Sequence, residues 1–253
     1  MQNNDKVAIV TGASAGIGAE AARRLASRGV KVVVGARRAS KLEALVEEIE
    51  RGGGAAVAVA GDVQDEGFAH ALVEAATARF GGVDLALLNA GTLGVPGRVE
   101  EMSVKSWEET VQTNLMGSFL AVRRLVPALR ARGGGAIVLI STFVGLTAGF
   151  AGMSAYAASK AGVVGLARAL AVELGPDQIR VNALIPGGTD TDMGRAVASS
   201  PEALSYVAGL HALKRIARPE EIAEAALFLL SDAASFITGS ALFADGGVSV
   251  ARV

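Results

Sequence analysis

Thr11-Gly-Ala-Ser-Ala-Gly-Ile-Gly18 is the stretch from which the rest of this chain is read. Val7-Ala-Ile-Val10 before it is a short apolar run, the mark of a buried strand. After it, Ile17, Ala21 and Leu25 fall on one helical stripe. Three glycines therefore sit in a turn from strand to helix. Such a turn suits a phosphate. Glycine lets the backbone bend tightly and approach a ligand, and a helix start offers unpaired N–H groups and a positive dipole end. An ordinary glycine-rich turn is the plain alternative, so the remainder of the chain has to decide.

The chain has 253 residues, enough for one large α/β domain. It is 51% hydrophobic and 19% charged, which allows a substantial core. Its net charge of −1 favours neither a nucleic-acid partner nor an anionic membrane surface. The absence of cysteine rules out disulfides, thiol catalysis and thiolate metal sites. His70 and His211 are the only imidazoles, so a His-based triad or a metal site is not expected. The N-terminal residues, Met1 to Lys6, run straight into the first strand and leave no room for a signal peptide. Residues 133–159 carry no charge and are long enough to span a bilayer. Their many Gly, Ser and Thr residues and their division into a strand-like half and a loop suggest a buried strand leading into a site. A cytoplasmic protein with no membrane partner is expected.

Strand-like and helical patterns alternate to the end. Further strands are predicted at 31–35, 55–60, 84–88, 136–140, 179–184 and 241–243. Helices are predicted at 65–80, 103–130, 155–174 and 219–230, and one more opens at Ser40 with Glu43 completing a capping box. The 103–130 helix carries Trp107, Val111, Leu115, Phe119, Val122 and Val126 at helical spacing. The triplets 52–54 and 133–135 of glycine read as helix-to-strand turns. The β-α-β alternation implies an α/β fold, a doubly wound parallel sheet of seven strands with helices on both faces. No linker breaks it, so residues 1–253 are read as one domain. Ligands of such sheets lie beyond the strand C-termini.

The chemistry-bearing residues fall there. Strand two ends Val34-Gly35-Ala36-Arg37-Arg38, and no acid stands between Ser27 and Leu42. An NAD site places a carboxylate here for the ribose hydroxyls, whereas a guanidinium fork pairs with a 2′-phosphate. Arg37, with Arg38 beside it, therefore points to NADP(H); a solvated helix start is the plain alternative. Tyr156-Ala-Ala-Ser-Lys160 sets an ammonium one helical turn from a phenol. A nearby positive charge stabilises phenolate, which would bring the Tyr pKa toward a range where the group passes protons to and from a substrate oxygen. Asn114, predicted in mid-helix, is mildly unfavourable there and calls for a reason such as a water site or a local kink.

The spacing T-G-x-x-x-G-x-G resembles that of the short-chain dehydrogenase/reductase family. The likeness runs over residues 6–247 and takes in Asn89-Ala-Gly91, Asn114, Ser141-Thr142, Tyr156 with Lys160, Pro186-Gly-Gly-Thr-Asp-Thr191 and Asp245-Gly-Gly247 in order. It implies a Rossmann fold and hydride transfer between NADP(H) and a carbonyl or alcohol. On that resemblance Gly12, Ser14, Ala15, Gly16, Ile17 and Gly18 form the phosphate turn. Asp62-Val63 flanks the adenine, and Asn89, Ala90 and Gly91 line the cofactor. The backbone of Pro186 and Gly187 meets the carboxamide, and Thr189 and Thr191 complete that side. Tyr156 donates the proton, Lys160 binds the ribose and tunes Tyr156, Asn114 holds a water of the relay, and a hydroxyl holds the substrate oxygen. The family's spacing of thirteen residues before the Tyr falls on Phe143. The pattern Ile-Ser-Thr-x-x-Gly instead aligns Thr142, with Ser141 as competitor. Two further departures are Leu88, where the family usually has Asn, and Ala15, where NADP-using members often have a basic residue.

The expected substrate is a small or medium ketone or secondary alcohol under an apolar lid, 191–213, with Met193, Val197, Leu204, Tyr206, Val207 and Leu210. Asp190 and Asp192 are read as caps of the next turn, and His211 as solvated or packed. The alternatives are a 3-oxoacyl-carrier-protein reductase, for which Arg130 and Arg132 would be the basic contacts, and a nucleotide-binding scaffold without catalysis. Helices 103–130 and 155–174 are apolar on more than one face, so a homotetramer is expected.

Overall fold

The computed structural model describes residues 5–251. The reading of the first six residues as leaving no room for a leader falls largely outside them. Among the described residues, seven strands form one sheet in the order β3-β2-β1-β4-β5-β6-β7, and every pairing is parallel. They are β1 Val7–Thr11, β2 Lys31–Ala36, β3 Ala56–Ala60, β4 Leu85–Leu88, β5 Gly135–Ile140, β6 Ile179–Pro186 and β7 Ala241–Ala244. β1, β4 and β5 are almost wholly apolar because helices cover both of their faces.

One face is closed by α1 Gly16–Ser27, α2 Ala39–Arg51 and α9 Pro219–Leu230, through side chains such as Leu25, Leu45, Ile222 and Leu229. The other is closed by α3 Glu66–Phe80, α5 Gly117–Ala131 and α6 Ser154–Leu174, through Phe68, Leu72, Val122, Leu125, Val163 and Leu174. Residues 133–159, the uncharged stretch, form β5, a loop and the start of α6. No helix among the described residues is long and apolar enough to cross a membrane. The strand order reverses between β1 and β4, and there a crevice opens at the carboxyl ends.

Two expected helices differ. The 103–130 helix is not continuous: α4 Val104–Val111 passes through a π turn, Gln112–Met116, into α5. The extra residue in that turn rotates the helix by about 100°. Val122 thus faces the core, while Trp107 and Phe119 of the expected stripe are partly exposed. The Ser40–Glu43 capping box does not form. α2 begins at Ala39 after Arg38, whose guanidinium bonds the Ser14 hydroxyl, so Ser40 already lies inside the helix and caps nothing.

Between β6 and α9 run two short helices, α7 Asp192–Val197 and α8 Pro201–Leu210. Thr191 caps α7 by accepting the Gly194 N–H at 3.1 Å. Asp190 and Asp192 therefore do not carry the cap; both pair with Arg195.

Candidate active site

The glycine turn is locked to the turn after β4. Asn89 donates its amide to the carbonyls of Thr11 and Gly12 at 3.3 and 3.2 Å, and the Thr11 hydroxyl accepts the Asn89 N–H at 3.1 Å. A Cβ at Gly12, whose φ is +66°, would lie 2.8 Å from the Asn89 amide nitrogen, and one at Gly18 2.6 Å. The first turn of α1 follows Ala15, and no side chain caps it. Its leading N–H groups thus face the crevice without a protein side chain to satisfy them, which fits a pyrophosphate.

The crevice is a cavity of about 540 Å³, large enough for a sizeable small-molecule ligand. Of the expected site residues, Gly12, Ser14, Ala15, Gly16, Ile17, Arg37, Arg38, Asp62, Val63, Asn89, Ala90, Gly91, Ser141, Thr142, Tyr156, Lys160, Pro186, Gly187, Thr189 and Thr191 line it. Gly18 and Asn114 stand behind its wall. At one rim the Arg37 side chain is 77% exposed, with Nη1 3.8 Å from the Asp62 carboxylate. Asp62 in turn accepts the Gln64 N–H at 3.0 Å.

At the other end, α6 places Tyr156 and Lys160 one turn apart, both buried. Lys160 Nζ donates to the Ile140 carbonyl at 2.8 Å, and the Ser141 hydroxyl donates to the Lys160 carbonyl at 2.7 Å. These two bonds stitch the end of β5 to α6. They also commit the Ser141 hydroxyl, leaving Thr142 as the hydroxyl beside Tyr156. Burial pushes the Lys160 ammonium down to about 8. Burial also pushes the Tyr156 phenol above its ordinary range, and hydrogen bonding by Thr142 pulls it partly back. The depressed Tyr expected from the Lys160 charge is thus not what the fold alone produces. Desolvation of the phenolate is the larger cause and Thr142 the one that opposes it, while the Lys160 Nζ is turned to a β5 carbonyl.

Asn114 is fully buried in the π turn. Its Oδ1 accepts the Thr92 N–H at 2.8 Å, and its Nδ2 donates to the Thr92 carbonyl at 2.9 Å and to the Ser159 hydroxyl at 2.9 Å. The local kink foreseen from a mid-helix Asn is therefore present, as a π turn. A Cβ at Gly91 would lie 3.1 Å from both Asn114 Oδ1 and Lys160 Nζ, so these two residues flank the same point.

The remaining wall is apolar: Leu93, Phe143, Phe150 and Met153 from one side, Val197, Leu204, Val207, Leu210 and Ile216 from α7, α8 and beyond. Phe143 meets Phe150 edge-on at 5.8 Å. Tyr206, expected here, is largely exposed and stands outside the cavity lining. His211 is packed rather than solvated, at 1% exposure. Arg130 and Arg132 are paired with Asp177 and Asp84.

A family model described as enoyl-(acyl carrier protein) reductase matches residues 12–249. The chain belongs to the short-chain dehydrogenase/reductase family. Among its relatives in that family, the cyclohexanol dehydrogenase of Acinetobacter sp. (strain SE19) is 40% identical over 243 residues, 96% of this chain and 94% of the relative. Cis-4-hydroxycyclohexanecarboxylate dehydrogenase of Sinomonas cyclohexanicum is 41% identical over 244 residues, 96% of each chain. The solved structure of a 7α-hydroxysteroid dehydrogenase complexed with NADH and 7-oxo glycochenodeoxycholic acid superposes with a TM-score of 0.91 at 36% identity, covering 96% of this chain and 94% of that one. As a short-chain dehydrogenase/reductase, this chain is an NAD(P)-dependent alcohol or carbonyl oxidoreductase.

Proposed function

We propose that this enzyme interconverts an uncharged alicyclic secondary alcohol and its ketone, with NADP(H) preferred over NAD(H). The observation that carries the reading is the junction of Thr142, Tyr156 and Lys160 with an apolar wall in one cavity. A neutral ring fits that wall, and the names of the cyclohexanol and hydroxysteroid relatives support a cyclic alcohol. An acyl-carrier substrate is disfavoured because Arg130 and Arg132 are already engaged by carboxylates.

In ketone reduction, the Thr142 hydroxyl donates to the carbonyl oxygen and holds it beside Tyr156 Oη. A nicotinamide cofactor held along the glycine turn and Lys160 would supply the hydride in reduction and accept it in oxidation. Tyr156 passes its proton to the oxygen as the carbon becomes tetrahedral, and takes it back in the reverse direction. Lys160 holds the ribose and stabilises the phenolate left behind. Asn114 keeps the π turn open beside Gly91 and Lys160, where a water can carry the proton onward. The exposed Arg37 and the absence of a carboxylate at Ala36 support the 2′-phosphate. The segment 191–213, with its apolar inner side, acts as the substrate lid.

The test is turnover of cyclohexanone, 4-oxocyclohexanecarboxylate and a 3-oxoacyl carrier thioester with NADPH and with NADH. Highest kcat/KM for cyclohexanone with NADPH is expected. Faster turnover of the thioester than of either free ketone overturns the substrate reading, and equal or better use of NADH overturns the cofactor reading.

A further inference from the structure

We propose that His211 is a positioning residue that couples the helix over the cleft to the loop bearing Pro186 and Gly187. His211 lies at the end of α8, in a segment whose other inward side chains are apolar. Its ring nevertheless has both nitrogens engaged. Nε2 accepts the Gly188 N–H at 2.9 Å, and Nδ1 faces the Val207 carbonyl at 2.8 Å. An amide N–H can only donate and a carbonyl can only accept, so the hydrogen sits on Nδ1. The imidazole thus ties the loop after β6 directly to α8. It also meets Phe143 edge-on at 6.4 Å, one residue past Thr142.

Three segments of the proposed site therefore converge on one ring: the cofactor-side loop, the lid helix and the residue following Thr142. The loop is held rigidly at its other polar group too, because the Gly188 carbonyl accepts the Ala217 N–H at 2.7 Å. A displacement of α8 is passed to Gly188 through a two-bond bridge, with no slack for water in a ring that is 1% exposed. A bulky apolar side chain could fill the same space but would leave the Gly188 N–H and the Val207 carbonyl unpaired.

The inference rests on the cleft being the hydride-transfer site, and the geometry separates the two halves of the bridge. In His211→Asn the side-chain amide stands near Nδ1, keeping the donor to Val207 and losing the acceptor for Gly188. In His211→Gln the terminal oxygen reaches the Nε2 position, keeping the acceptor and losing the donor. NADPH binding is followed by the cofactor's own fluorescence, and KM is measured for the best ketone of the panel. Loss of one hydrogen bond corresponds to about ten-fold. His211→Asn is expected to weaken NADPH binding about ten-fold and to leave the ketone KM within about three-fold. His211→Gln is expected to show the opposite split. A purely structural residue would lower the melting temperature in both variants and move neither constant selectively.

Constants within two-fold of the parent in both folded variants, or the same constant moved equally in both, overturn the coupling. If one variant does not fold, the constant predicted for the other decides; failure of both to fold makes the ring a plain core residue and overturns it as well. Retained activity in Tyr156→Phe would instead remove the hydride-transfer reading itself, so the two failures are distinguishable.

Discussion

Asn114, in a π turn, donates its amide to the hydroxyl of Ser159, one residue before Lys160 on α6. The Ser159 hydroxyl passes the connection on to the Tyr156 carbonyl at 2.8 Å. The irregular turn and the helix with the paired phenol and ammonium are thus one hydrogen-bonded unit. Asn114→Ala would leave the Thr92 N–H and carbonyl and the Ser159 hydroxyl without their side-chain partner. A stability loss of about 2–4 kcal/mol is expected, together with a fall in kcat. Urea unfolding with a loss under about 1 kcal/mol would show that the turn does not depend on this side chain.

Tyr156→Phe removes only an oxygen. Turnover should fall by about 10²–10⁴ or more while NADPH affinity stays within a few-fold. Thr142→Ala should lower kcat strongly. Ser141→Ala should mainly loosen α6, because its hydroxyl is held by the Lys160 carbonyl at 2.7 Å. Comparable loss of kcat without loss of stability in Ser141→Ala would reassign the hydroxyl.

Lys160 makes stability depend on pH. Burial lowers its pKa from the usual 10.5 to about 8 in the folded chain. Below pH 8 both states carry the proton, and the folded state bears the full cost of the buried charge. Between about 8 and 10.5 the folded chain has lost the proton that the unfolded chain keeps, so stability rises with pH in this window. Tyr156, pushed upward, acts oppositely above its ordinary pKa, which closes the window near pH 10. Free of cofactor, the parent should gain on the order of 2 kcal/mol over Lys160→Met between pH 7.5 and 9.5. A flat difference between the two over that interval would contradict the buried charge.

Arg37→Ala should cost NADPH about 1.5–3 kcal/mol in kcat/KM and leave NADH nearly unchanged. Ala36→Asp should restore the ribose-binding carboxylate and shift preference toward NADH. An equal loss for both cofactors in Arg37→Ala would place the phosphate contact elsewhere, with Arg38 the next candidate.

Trp107, Met116 and Phe119 leave apolar surface on α4, the π turn and α5, and Val172 does so on α6. A second copy of the chain covering this face, within a homotetramer, is the expected state. Light scattering at micromolar concentration should return four times the chain mass, and a monomer would refute it.

The sheet was legible because buried parallel strands read as unbroken apolar runs, as in Val32-Val-Val34 and Ile137-Val-Leu139. The positions of Tyr156 and Lys160 followed from their four-residue spacing. The π turn was legible only as an oddity, since Gln112-Thr-Asn-Leu-Met116 contains no Gly or Pro and one inserted residue leaves no compositional mark. Ser40 has the composition of a cap but sits two residues past the N-cap position, which Arg38 occupies with its guanidinium on the Ser14 hydroxyl. His211 carried one signal, a lone imidazole in an apolar stretch, and its two partners come from backbone that no side-chain pattern reveals. The Tyr156 pKa depended on depth of burial, which local spacing does not encode.

The packing of Asn89 against Gly12 and Gly18 limits how this enzyme could diverge. Any side chain at those glycines collides with the amide that joins β1 to β4, so a substitution there would damage the seam of the sheet before it altered any ligand contact. The glycine turn is in effect frozen by its neighbour across the sheet. Freedom to drift is confined to the opposite rim, at Arg37, whose side chain lies mostly in solvent and can be rewritten without repacking. On the proposed role of Arg37, descendants of this chain would change their nucleotide choice there and keep the glycines.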